Sequence, residues 1–264
     1  MSSQVVLVTG GNTGLGLEII RTLYQSSKAY NILLGSRSLE KAKVVVNDLL
    51  SEARDTTTTI EPVKIDVEDD ASILSAYAFV EKKYGRLDVL VNNAGANFDR
   101  QLHKGEMTAR EAWNKSWAIN TTGAHVTTLT FIPLLLQSAD PRLLFIASGT
   151  STLTGHEKEE RFTDTPPAKG WPKQELSWSA YRSAKTGMNM MMREWARILK
   201  NDGVKVWAVS PGLLATGLGG DHELLKKLGA IHPRVGAEVV QGVIEGKRDA
   251  DVGRVVKKDG VQPW

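Results

Sequence analysis

The 264-residue chain contains no cysteine. Disulfides, thiolate-bound metal and a cysteine nucleophile are therefore excluded. It has no apolar run long enough to cross a bilayer. The first apolar run feeds a glycine turn rather than a cleavage site, so a secretory leader is not expected and the cytoplasm is the expected compartment. One sign of charge barely exceeds the other, at a formal +3, and no basic stretch is interleaved with aromatics, which argues against a nucleic-acid partner. The five histidines, His103, His125, His156, His222 and His232, lack metal-ligand spacing, and no metal is expected. Ser148 sits in no GxSxG elbow, which argues against a hydrolase. No repeat, low-complexity tract or linker divides the chain, so a single domain over 1–264 is expected.

What is present is an alternation of strands and helices. Val5 to Thr9 is an apolar run that enters Gly10-Gly11-Asn12-Thr13-Gly14-Leu15-Gly16. Leu15, Leu17, Ile19, Ile20 and Leu23 then follow helical spacing. A strand, a glycine turn and a helix N-terminus together suit a pyrophosphate. Further strands are expected at Ile32–Leu34, Ile60–Ile65, Leu87–Val91, Leu143–Ala147, Val204–Val209 and Val252–Val256. Helices are expected at Leu39–Leu50, from Asp69-Asp70 onward, at Ala109–Ile119, at Thr121–Gln137 with Pro133 kinking or ending it, and at Ser179–Lys200. The predicted fold is α/β, a Rossmann-type doubly wound, seven-stranded parallel sheet with helices on both faces. Met188, Met190, Met191 and Met192 read as core packing.

In such sheets an acid at the end of the second strand favours NAD, and an arginine accommodates the 2′-phosphate of NADP. Here the position reads Gly35-Ser36-Arg37. The acid is missing and Arg37 offers a planar fork suited to phosphate. NADP(H) is therefore the expected cofactor; the plainer reading of Arg37 is a solvated loop charge.

Tyr181 and Lys185 are four apart and share a helix face. A neighbouring ammonium would draw a tyrosine below its usual value near 10 and make it a proton donor and acceptor. Alone the pair is common. It stands with Asn92-Asn93-Ala94-Gly95 after the fourth strand, Asn120 inside a helix, and Ser148 at the end of the fifth strand, and strand ends of such a sheet face one crevice.

With these residues in place, the chain resembles the short-chain dehydrogenase/reductase family in its single-domain branch, over nearly its whole length. Thr9 to Gly16 resembles TGxxxGxG, Asn92 to Gly95 resembles NNAG, and Trp113 and Asn120 are spaced like the family's Trp and catalytic Asn. Ser148, Tyr181 and Lys185 are similar to the Ser and YxxxK, and Pro211-Gly212 with Thr216 to PGxxxT. The resemblance implies Asn120, Ser148, Tyr181 and Lys185 as the catalytic set. Tyr181 would be the general acid or base, and Ser148 would polarise the carbonyl. Lys185 would lower the tyrosine pKa and bind ribose, and the Asn120 carbonyl would hold a water for proton supply. It implies a cofactor site of Gly10, Asn12, Thr13, Leu15, Gly16, Arg37, Asp66, Val67, Asn93, Ala94, Gly95, Tyr181, Lys185, Pro211, Gly212, Leu214 and Thr216. The expected activity is NADPH-dependent reduction of a carbonyl to an alcohol, or the reverse. The alternative is a non-redox protein of this fold, a dinucleotide-sensing regulator or a repurposed member.

Ser148 and Tyr181 lie farther apart than in many relatives, and the shorter spacing would put Ala168 at the serine. An insertion at about 152–178 accounts for this, with Thr150 and Ser151 as substitutes for Ser148. Some monomeric carbonyl reductases of the family carry an insertion here, so a monomer or homodimer is expected over a tetramer. Phe162, Pro166-Pro167, Trp171 and Trp178 are expected to pack, either gluing the insertion down or lining a pocket for a lipophilic or aromatic small-molecule substrate. Leu213 to Arg234 is expected to form a substrate lid, with Gly217, Gly219, Gly220 and Gly229 as hinges and Leu224, Leu225 and Leu228 as its apolar face.

Overall fold

The computed structural model describes residues 3–52, 57–173, 177–219, 225 and 227–264. Expectations placed on Gly220, His222 and Leu224, and on 174–176, lie outside the described residues.

The apolar runs become strands: β1 (Gln4–Val8), β2 (Tyr30–Ser36), β3 (Thr59–Lys64), β4 (Val89–Asn92), β5 (Arg142–Ile146), β6 (Lys205–Val209), β7 (Val255–Lys257) and β8 (Gly260–Gln262). The periodic segments between them become helices: α1 (Gly14–Tyr24), α2 (Leu39–Ser51), α3 (Asp70–Tyr84), α4 (Asp99–His103), α5 (Ala109–Trp117), α6 (Ala124–Leu135), α7 (Leu153–Glu157), α8 (Ser179–Ile198) and α9 (Pro233–Ile244). Local chemistry sets their ends. Asp69 caps α3 by accepting the N–H of Ala71 and Ser72 at 3.0 and 3.3 Å, and Gly85 closes it at φ 65°.

The sheet runs β3-β2-β1-β4-β5-β6-β7-β8. Successive side chains of a strand point to opposite faces. Val6 and Val8 thus pack with α1, α2 and α9 through Ile19, Leu49 and Val240, whereas Val5 and Leu7 pack with α3, α6 and α8 through Val80, Phe131, Met188 and Met192. Met190 instead faces solvent. Burial on both faces is why β1 is apolar without alternation.

Two expectations need correction. The sheet has eight strands, not seven, and β8 returns antiparallel to β7. Only three residues pair, and Val261 between Gly260 and Gln262 is exposed, so no apolar run advertised it. The helices expected at 109–119 and 121–137 are α5 and α6, joined through a π-helical turn at Ala118–Gly123. Pro133 lies inside α6, which ends two residues later at Leu135.

Val8 is level with Leu34 on one side and Val91 on the other, and Ile146 with Val209. The loops after these parallel strands therefore leave the same sheet edge. The strand order reverses between β1 and β4, which opens a crevice there.

Candidate active site

The crevice is a cleft of about 2060 Å³ along that edge. Every expected cofactor position lines it, as do Ser148 and Thr150. Asn120 is buried beneath it.

The glycine turn is fixed by β4. The Thr9 hydroxyl accepts the N–H of Asn93 and of Ala94, each at 3.0 Å, and the Asn93 amide donates to Thr9 O at 2.8 Å. Gly10 has φ +64°, which a side chain would strain, and a Cβ on Gly16 would run into the Gly10 carbonyl. At the start of α1, Thr13 makes no side-chain cap, and no acid occupies the first turn. Helix N–H groups are thereby left for an anion. Beyond β2, the Ser36 hydroxyl donates to Asn12 Oδ1 at 3.1 Å. Arg37 and Lys41 both line the cleft there. Among the described residues, neither side chain is engaged in a hydrogen bond or an ion pair.

The π turn brings Asn120 under the loop that follows Gly95. Its Oδ1 accepts the Ala96 N–H at 3.2 Å, and its Nδ2 donates to Ala96 O and Ser116 O, both at 2.8 Å. π turns interrupting helices recur at functional sites. Gly123 of the same turn abuts the Val67 carbonyl, leaving no room for a Cβ.

Tyr181 and Lys185 share a face of α8, and the Lys185 Nζ stands 5.9 Å from the Tyr181 ring centroid. That ammonium donates to the Ile146 carbonyl at the end of β5, at 2.7 Å. Ser148, two residues on, accepts the Thr150 N–H at 3.1 Å and shares a 2.9 Å hydrogen bond with the Thr150 hydroxyl. The Ser151 hydroxyl turns away to Ser148 O and Asn189.

A profile described as "short chain dehydrogenase" matches residues 4–158 and 172–224. This chain belongs to the short-chain dehydrogenase family. It is 44% identical over 272 residues to the short-chain dehydrogenase/reductase eupG of Phoma sp, covering 98% of this chain and 97% of that protein. It is 45% identical over 264 residues to tropE of Talaromyces stipitatus, covering 99% and 98%. The crystal structure of an NADPH-bound carbonyl reductase from chicken fatty liver superposes with a TM-score of 0.80 at 22% identity, covering 100% of both chains. At that identity the likeness is one of fold. Members of the family are oxidoreductases that bind a nicotinamide dinucleotide and act on small molecules. Among the described residues no helix is long and apolar enough to cross a membrane.

Within this dehydrogenase frame the electrostatics depart from expectation. Tyr181 is not acidified: burial pushes its pKa up to about 12, and hydrogen bonding with Ser148 pulls only weakly the other way. Burial also drives Lys185 down to about 7. Exclusion of water penalises phenolate and ammonium alike, and both groups move toward their neutral forms.

Three features of the site were not anticipated. Lys41 joins Arg37 at the rim. Asp99, at the start of α4, caps α8 from a distance: its carboxylate accepts the N–H of Ala180 and of Tyr181, each at 3.0 Å. Gln262 of β8 donates to Ser148 O at 3.1 Å, tying the last strand to the serine turn. No local pattern marks a cap whose helix lies 82 residues away.

The tryptophans of the irregular stretch divide. Trp178 lines the cleft, but Trp171 is 87% exposed. Residues 165–173 are exposed throughout and form no helix or strand, so among the described residues the ring stays on the surface. The side chain of Phe162 is outside the described residues.

Proposed function

We propose that this chain catalyses NADPH-dependent reduction of a ketone, aldehyde or quinone-like carbonyl to the alcohol, or the reverse. The observation that carries the reading is one cleft in which Tyr181, Lys185 and Ser148 stand beside a glycine cradle and two uncommitted cations, Arg37 and Lys41. The residues fit the dinucleotide. The uncapped α1 N-terminus suits a pyrophosphate, Arg37 and Lys41 a 2′-phosphate, and Asp66 and Val67 the adenine. Asn93 to Gly95, Pro211, Gly212, Leu214 and Thr216 would frame the nicotinamide.

When bound, the nicotinamide supplies a hydride to the carbonyl carbon. The chain's own residues manage the oxygen. Tyr181, which burial keeps protonated, gives its hydroxyl proton to that oxygen, general-acid work worth about 10²–10⁴-fold. The Ser148 hydroxyl donates a hydrogen bond to the developing oxyanion. Lys185 in its ammonium form stabilises the phenolate left on Tyr181. Asn120 holds Ala96, and with it the loop that carries Gly95, against the cleft wall.

The cleft's outer part supports a lipophilic or aromatic substrate, with Pro166, Pro167, Trp178 and Leu228 on its walls. The 213–234 segment serves as a lid. Its two arms are joined at the base, where Ala215 N–H donates to Ile231 O and Ile231 N–H to Leu213 O, both at 2.9 Å. The 152–178 stretch is an insertion, and a monomer or homodimer in the cytoplasm is the assembly we favour.

NADPH and NADH are to be compared as reductants across a panel of ketones, aldehydes and quinones. The reading predicts loss of NADPH absorbance with part of the panel and a weaker response with NADH. Tight NADPH binding with no oxidation by any member would favour a non-redox role.

A further inference from the structure

We propose that Arg161 and Arg182 form a carboxylate-binding subsite beside Ser148, so that the preferred substrate is a carbonyl compound bearing an acid group. The inference rests on the reductase reading above and specifies its substrate class.

Both arginines line the cleft, and between them lies one carboxylate, Asp164, whose side chain is only 2% exposed. Asp164 Oδ1 engages Arg182 Nη1 at 2.9 Å. Its Oδ2 accepts the Arg161 backbone N–H at 3.2 Å and stands 3.7 Å from Arg161 Nη1. One anion thus faces two cations, and it is committed mainly to Arg182. Arg182 Nη2 is further occupied by the Thr163 hydroxyl at 2.7 Å. Arg161 Nη1 and Arg182 Nε are buried and make no hydrogen bond among the described residues. Glu160, the neighbouring carboxylate on the cleft wall, is exposed and pairs with neither arginine among the described residues.

A clamp fastening this stretch to α8 would need one arginine for one carboxylate. A second, half-buried guanidinium with an unused donor is costly unless something else completes it. Its position says what would. A Cβ on Gly149, the residue after Ser148, would stand 3.4 Å from Arg161 Nη2, and Arg182 directly follows Tyr181. The surplus charge therefore sits beside the Ser148 turn, in the cleft that Tyr181 also lines. A planar fork with free N–H groups in a partly dry cleft matches a carboxylate.

The test uses ortho-, meta- and para-acetylbenzoate and their methyl esters, aromatic ketones that differ in the charge. Binding is measured by calorimetry with and without NADP⁺, and reduction by NADPH absorbance. At least one acid should bind about ten- to hundred-fold tighter than its ester, the worth of a charge-assisted pair. The acid-to-ester ratio should collapse in Arg161→Gln and recover in part in Arg161→Lys, with NADPH binding reporting that each variant is folded. Equal binding of acid and ester, no binding of any acid, or a preference that survives Arg161→Gln would overturn the subsite. Acid preference in binding with no turnover would count against the reductase reading alone. Turnover without acid preference would count against the subsite alone.

Discussion

The Asp99 carboxylate accepts the backbone N–H of Tyr181 at 3.0 Å. It also takes the Ala180 N–H, and burial raises its pKa against the pull of these two bonds and of Arg182. The helix carrying Tyr181 and Lys185 has no side-chain cap of its own, since Trp178 occupies that position. Asp99 supplies the cap and sets where the tyrosine begins. In Asp99→Ala two buried N–H groups lose their partner, which should lower stability by about 2 kcal/mol or more and turnover with it. Asp99→Asn keeps one acceptor oxygen and should recover part of both. Urea unfolding and kcat on the same variants check this; an alanine variant with unchanged resistance to urea and unchanged turnover would contradict it.

Lys185 makes stability depend on pH. Its folded pKa, about 7, lies below the ordinary lysine value of 10.5. Between these values the unfolded chain binds more protons than the folded one, so stability rises with pH across this window and is lost as pH falls toward 7. Tyr181 acts oppositely above about 10, where its raised pKa makes stability fall with further alkalinity. The melting temperature should therefore climb from neutral pH toward pH 10, and Lys185→Met should flatten that climb. A wild-type profile that falls over the same range would refute the assignment.

Arg37 and Lys41 bear on the choice of dinucleotide. Replacing both with alanine should weaken NADPH binding about ten- to hundred-fold and leave NADH binding nearly unchanged. Fluorescence titration of the two cofactors measures the ratio. Equal loss for both would place the cations elsewhere in the binding mode.

Gly95 has no spare room. A Cβ there would lie 2.9 Å from Asn120 Oδ1 and 3.5 Å from Lys185 Nζ. Asn120 cannot rotate away without releasing Ala96. Gly95→Ala should cost about 1–3 kcal/mol and depress turnover, read by thermal unfolding and steady-state kinetics. A variant with native stability and rate would show that the loop yields freely.

The parallel core was legible because buried strands are continuous apolar runs. Val5–Val8 and Leu143–Ile146 could hardly be anything else. The glycine turn and the Tyr181–Lys185 spacing were legible because both are local. β8 was not, since three residues pair without an apolar signature. Nor was the π turn, which leaves helical periodicity almost intact. Asp99 and the Arg161–Asp164–Arg182 group escaped because their partners meet only in space. The protonation of Tyr181 was misjudged for a related reason: spacing gives the neighbour, while the depth of burial, here the larger effect, comes from the whole fold.

The central claim, proton delivery by Tyr181 during hydride transfer, is tested most directly by single-turnover reduction with NADPH deuterated at the transferable position, in wild type and Tyr181→Phe. The account predicts deuterium on the carbinol carbon, unchanged NADPH binding in the variant, and a rate lower by about 10²–10⁴-fold. A Tyr181→Phe protein as fast as wild type, or NADPH bound with no deuterium passing to any carbonyl compound, would contradict it.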